Sequence, residues 1–142
     1  MPRSIILTVD AEATPEAVFS ALSTRDGLAS FWTPDVKGES AVGNRLAFGF
    51  AAAPVELEMT VAELVPYESI HWQCEGPWPY WEGTEVEWSI IAGEPTRVML
   101  TQRGWGEQQP EVEFGAVAYT WGLVLGALRS FVETDVAAPA LR

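Results

Sequence analysis

Residues 110–133, PEVEFGAVAYTWGLVLGALRSFVE, decide how the rest of the chain is read. Pro110 suits a first helical position, where its missing N–H costs nothing. Glu111 and Glu113 follow in the first turn and Arg129 lies near the other end, an arrangement the helix macrodipole favours. Phe114, Val117, Ala118, Trp121, Val124, Leu125, Leu128, Phe131 and Val132 recur at steps of three and four, so one broad face is apolar. Such a helix is about 35 Å long, and burying about eight of these side chains contributes on the order of 12–24 kcal/mol before chain entropy is subtracted. Only a large apolar surface elsewhere in the chain can receive it. Gly115, Gly122 and Gly126 each cost about 0.8–1 kcal/mol relative to alanine inside a helix. Close packing on a sheet, or room left for a ligand, would account for them. The uncharged run from Gly115 to Leu128 is shorter than the ~20 residues a bilayer core needs, so no membrane span is expected.

The receiving surface is legible upstream. Ile5, Leu7 and Val9 alternate along a first strand, Arg3 to Asp10. Thr14-Pro15-Glu16 opens a short helix with a hydroxyl cap, a proline and an acid, and Val18, Phe19 and Leu22 form its stripe. A second short helix places Leu28, Phe31 and Trp32 on one face, and Pro34 stops it. The period then changes to two. Leu46, Phe48 and Phe50 alternate with smaller residues, and Val55, Leu57, Met59 and Val61 alternate with Glu56, Glu58 and Thr60, as in half-buried antiparallel strands. Pro66 to Ser69 is a turn. Ile70, Trp72 and Cys74 form the next inward set. Residues 75–83, EGPWPYWEG, form a loop, followed by a strand with Val86, Trp88 and Ile90, a turn at Gly93-Glu94-Pro95, and a last strand through Val98 and Leu100 to Gly104. The predicted class is α+β: one antiparallel sheet whose apolar face takes the C-terminal helix.

Composition narrows the function classes. A chain of 142 residues is most simply one domain spanning 1–142. Its formal charge of −12 argues against nucleic acid and anionic membrane surfaces as partners. One cysteine, Cys74, permits no intrachain disulfide and no thiol zinc site. The apolar run near the N-terminus is too short for a signal peptide, so a soluble cytoplasmic protein is expected. There is no phosphate-binding glycine loop, Val42-Gly43-Asn44 reading as a turn, and no cofactor is expected.

Three segments carry a more specific signal: Phe31-Trp32-Thr33-Pro34, Leu100-Thr101-Gln102-Arg103-Gly104-Trp105, and Trp121 through Leu128 to Glu133. With the element order, they make nearly the whole chain resemble the START-related helix-grip superfamily (SRPBCC), and within it the stand-alone bacterial members of the activator-of-heat-shock-protein-90-ATPase-like family. The resemblance implies a curved antiparallel sheet wrapped around the last helix, two short helices after the first strand, and a cavity between sheet and helix. It also implies three functional readings: a small hydrophobic or aromatic ligand, a chaperone partner, or a cyclase, hydratase or hydrolase acting on a polyketide-like substrate. Two departures stand out. Gln102 occupies a position where the family often has histidine, and the 75–83 loop is rich in aromatics.

Candidate chemistry is sparse. His71, the single histidine, alternates with Ile70 and Trp72 and so points to the solvent side. Glu56, Glu58, Glu85 and Glu87 fall on that outer face too. Gln102 is in phase with Val98 and Leu100, points inward, and needs partners from the helix or a ligand; Tyr119 and Arg45 are further candidate inward polar groups. The strongest hint is seven tryptophans. Trp72, Trp88 and Trp121 read as core. Trp78, Tyr80 and Trp81 in the loop, with Trp32 approaching the same end, are expected to form a lid or portal. Beneath it an apolar pocket is expected whose deeper wall includes Phe48, Met59, Trp88 and the long helix near Phe114 and Ala118, with Gln102 a further candidate ligand-binding residue. Folding of the loop back over the sheet's open end, or contact in a homodimer, would use the same aromatics.

Overall fold

The computed structural model describes residues 3–142. Ten elements follow in order: β1 Arg3–Ala11, α1 Pro15–Ser23, α2 Arg25–Phe31, β2 Asp35–Lys37, β3 Arg45–Gly49, β4 Leu57–Val65, β5 Ser69–Gly76, β6 Glu85–Ile91, β7 Thr96–Trp105 and α3 Glu111–Thr134. All seven strands form one antiparallel sheet ordered β1-β7-β6-β5-β4-β3-β2. Strands β2 to β7 are a meander, and β1 joins it beside β7. Because β1 and β2 occupy opposite edges, α1 and α2 must carry the chain from one edge to the other. Register shifts between Val61 and Glu63 of β4 and near Arg3 of β1 mark bulges, which bend a strand and add to the curvature.

The inward phase matches the alternation read from the sequence. Leu57, Met59, Val61, Ile70, Trp72, Val86, Trp88, Val98 and Leu100 are all fully buried. Against them lie Val18 and Leu22 of α1, Leu28 and Phe31 of α2, and Trp121, Val124, Leu125 and Leu128 of α3. The expected cap forms, Thr14 Oγ1 accepting from the Ala17 amide (3.1 Å), and Thr24 Oγ1 caps α2 in the same way by accepting from the Gly27 amide (3.0 Å). Gly27 is needed for close packing, since a Cβ there would stand 2.4 Å from the Ala21 carbonyl oxygen.

Several details differ from the sequence reading. Pro110 is the residue before α3, not its first turn, because its extended ψ of 142° lies outside the helical region. Arg129 sits more than a turn before the helix end, where it meets Glu133 (3.4 Å), and the last turn carries no basic residue. Phe50 and Val55 belong to the β3–β4 connection, and β5 continues to Gly76. Gly115, Gly122 and Gly126 face neither the sheet nor a ligand space. All three are exposed, and a Cβ on any of them meets nothing within 4 Å. By length and composition α3 would pass as a membrane span, yet its buried face packs on the sheet as a core helix.

Candidate functional site

Most of the tryptophans form one connected cluster. Trp32 lies 4.3 Å from Phe48 and 5.0 Å from Trp121 between ring centroids, and Trp121 is 5.8 Å from Trp88 and 6.1 Å from Trp81. A polar chain runs through it. The Trp121 indole N–H donates to Gln102 Oε1 (2.7 Å), Gln102 Nε2 donates to Thr84 Oγ1 (3.0 Å), and the Thr84 hydroxyl donates to the Trp81 carbonyl (2.7 Å). The buried amide is thereby satisfied on both ends by protein groups. Of the two partners open to Gln102, the structure supplies the helix.

The 77–82 loop is pinned at its neck by the paired backbones of Cys74 and residues 83–84. Trp78 Nε1 donates to the Val55 carbonyl (3.0 Å), tying the loop to the β3–β4 connection. Trp81 turns inward and is buried. Tyr80, held at φ 70°, turns outward and is exposed. A bulky residue in that left-handed region stores about 1–3 kcal/mol of strain.

Between this loop, the start of α3 and the end of α2 lies an apolar cavity of about 610 Å³. Its walls are Trp32, Phe50, Ala52, Ala53, Leu57, Trp78, Trp81, Ala116, Val117, Thr120, Trp121, Val124, Ala140, Leu141 and Arg142. Trp32, Trp78 and Trp81 are thus brought together at one end of the sheet. The remaining residues expected in the site lie elsewhere. Phe48, Met59, Trp88 and Gln102 are sealed in the core below, and Tyr80 is outside. Phe114 packs on Trp105 (5.9 Å) under the Arg3 guanidinium (4.4 Å), and Ala118 is partly buried on α3 away from the cavity wall. Tyr119 is exposed, and Arg45 pairs with Glu58 on the outer face (3.1 Å), so neither points inward.

One wall was invisible to sequence reasoning. After α3, residues 136–142 turn back across the end of α2. The amides of Ala138, Ala140 and Leu141 donate to the carbonyls of Ser30, Phe31 and Trp32 at 2.8–3.0 Å, and the Ala51 amide donates to the Arg142 carbonyl (2.5 Å). These contacts satisfy the free carbonyls at the end of α2. They also place Ala140, Leu141 and Arg142 in the cavity wall. The segment has no periodicity; its one signal is that it follows the long helix with small apolar residues.

The outer sheet face carries the cross-strand ion pairs Asp10–Arg97 (2.9 Å) and Glu87–Arg103 (3.3 Å), and Lys37 of β2 pairs with Glu56 of the β3–β4 connection. His71 sits there opposite Glu87 in register, with Nε2 3.6 Å from Glu85. Burial pushes the Cys74 thiol up, leaving a small apolar core side chain. Among the described residues no cluster of histidine, cysteine and carboxylates could hold a metal ion.

A family described as Activator of Hsp90 ATPase homolog 1-like protein matches residues 12–133, which is most of the chain. The chain belongs to that family. As an AHSA1-like protein it is similar to the Aha1 dimer from Colwellia psychrerythraea, at 28% identity over 93% of this chain and 97% of that one, with a TM-score of 0.83. A Mesorhizobium loti protein (17% identity, 94% and 100% covered, TM-score 0.80) and CalU16 from Micromonospora echinospora (21%, 94% and 78%, 0.70) share the AHSA1-like fold. No curated protein matches the chain.

Proposed function

We propose that this AHSA1-like protein binds a small hydrophobic or aromatic molecule in the cavity walled by Trp32, Trp78 and Trp81. The observation that carries this reading is the cavity itself. At about 610 Å³ it falls in the range of about 300–1,000 Å³ usual for small-molecule sites, and its wall is aromatic and aliphatic. Among the described residues, Arg142 is the only titratable side chain in that wall. With no carboxylate, histidine, lysine or thiol there to move a proton, binding is favoured over a cyclase- or hydrolase-type reaction on a polyketide-like substrate. An apolar fluorescent probe should bind with about one molecule per chain and quench tryptophan emission. The Trp78→Ala/Trp81→Ala double mutant should bind it at least several-fold more weakly; unchanged affinity would remove the reading.

Family membership supports a second reading, a chaperone-associated role. Purified protein added to a heat-shock ATPase should then raise ATP turnover saturably, and no stimulation at high excess would set that role aside. A homodimer is supported separately by the dimeric Colwellia relative and by the outer face of α3, where Val112, Tyr119 and Leu123 are exposed. Sedimentation at two concentrations tests it.

A further inference from the structure

Trp78 and Trp121 commit their indole N–H groups to Val55 and Gln102, and those of Trp72, Trp88 and Trp105 are sealed in the core without a partner. The indole N–H groups of Trp32 and Trp81 differ from both sets: among the described residues they donate to no protein acceptor, and neither is sealed away. Trp32 is only 2% exposed. It is one of the residues that line the cavity. The Thr120 hydroxyl spends its one hydrogen on the Ala116 carbonyl (2.9 Å) and so offers a ligand no donor, and Arg142 has donors and no acceptor in its side chain. An unpaired indole N–H at the wall of a largely apolar space discriminates in favour of a partner that accepts.

We infer that the cavity selects apolar ligands carrying a hydrogen-bond-accepting oxygen, a ketone or a carboxylate, seated on the indole N–H of Trp32. This rests on the ligand-binding reading above and adds the chemistry of the ligand's polar end. A hydrocarbon of the same shape leaves the N–H unpaired, whereas an acceptor gains a net hydrogen bond equivalent to about 3–10-fold in affinity.

The test compares 2-acetylnaphthalene with 2-ethylnaphthalene by calorimetry. In the parent the ketone binds at least as tightly as the hydrocarbon, although water solvates the ketone better. In Trp32→Phe the ratio of ketone to hydrocarbon affinity falls about 3–10-fold. A readout that needs no variant is the Trp32 indole ¹H–¹⁵N resonance of the parent, which moves downfield with the ketone and not with the hydrocarbon. 2-Naphthoate forms a second acceptor arm. A larger gain for it than for the ketone, lost in Arg142→Gln, assigns the acceptor as a carboxylate. A hydrocarbon that binds and outcompetes both acceptors, or a ratio unmoved by Trp32→Phe together with an unmoved indole resonance, overturns the inference. Failure of all three probes to bind would instead remove the ligand-binding reading beneath it.

Discussion

The indole N–H of Trp121 on α3 donates to the side-chain oxygen of Gln102 on β7 across 2.7 Å, deep in the core. This bond fixes the long helix to the sheet at one rotation and one height, which apolar packing alone does not specify. It also brings the rest of α3's buried stripe over the strands, with Val117, Thr120 and Val124 left to line the cavity.

Trp121→Ala should therefore cost about 3–5 kcal/mol as a truncated core aromatic. Trp121→Phe keeps most of the ring and removes the donor, leaving Gln102 Oε1 buried without a partner, at a cost of about 1–3 kcal/mol. Urea melts of both variants check this. A loss under about 0.5 kcal/mol for the phenylalanine variant would show that the bond contributes nothing net.

Glu133 links the end of α3 to the start of the chain. Its carboxylate accepts from the Glu12 backbone N–H (2.7 Å) and from Arg129 (3.4 Å), and these hold its carboxyl below the ordinary value of 4.5. A carboxyl lowered in the folded state contributes stability that is fully present above its unfolded value. That contribution is lost as pH falls through the folded value. Asp10, held down by Arg97, acts in the same direction. Glu133→Gln should thus be less stable than the parent at pH 7, with the difference shrinking below about pH 4.5. Denaturant melts across pH 7 to 3 decide it; a gap that does not change with pH would contradict it.

The returning C-terminal segment should matter for both stability and binding. Ending the chain at Asp135 removes four backbone hydrogen bonds to residues 30–32 and 51. At about 0.5–1.5 kcal/mol net for each, the loss is about 2–6 kcal/mol. It also removes Ala140 and Leu141 from the cavity wall, so an apolar probe should bind several-fold more weakly. Equal probe affinity in the shortened, still folded protein would show that this wall takes no part in binding.

Gly115, Gly122 and Gly126 face open space. In a monomer, Gly122→Ala should raise stability by about 0.8–1 kcal/mol through helix propensity alone. If two copies pack through this face, the added methyl instead weakens the dimer. Thermal melts and sedimentation on the same variant separate the two.

His71 is paired across strands with acidic residues on the outer face, remote from the cavity wall. His71→Ala should leave probe affinity within about twofold, since surface substitutions away from a site usually change stability by no more than about 0.5 kcal/mol. A tenfold change would place the ligand on the opposite face of the sheet.

Periodicity along single elements carried the fold. Alternation at Leu57-Met59-Val61 and Ile70-Trp72-Cys74 set which faces point inward, the three- and four-residue steps of α3 set its buried stripe, and Thr14-Pro15 set a helix start, because each is a local consequence of backbone geometry. The phase of Gln102 and His71 followed from the same rule. Tertiary structure decided what depends on two distant segments meeting. Trp81 turns in and Tyr80 out because a loop without period is shaped by its neck and its φ angles. Phe48 packs on Trp32 and Trp72, and Met59 and Trp88 are fully buried beside it, so none of the three lines the cavity. Residues 136–142 became a wall because the free carbonyls at the end of α2 needed donors, and no local pattern in that segment records where those donors are found.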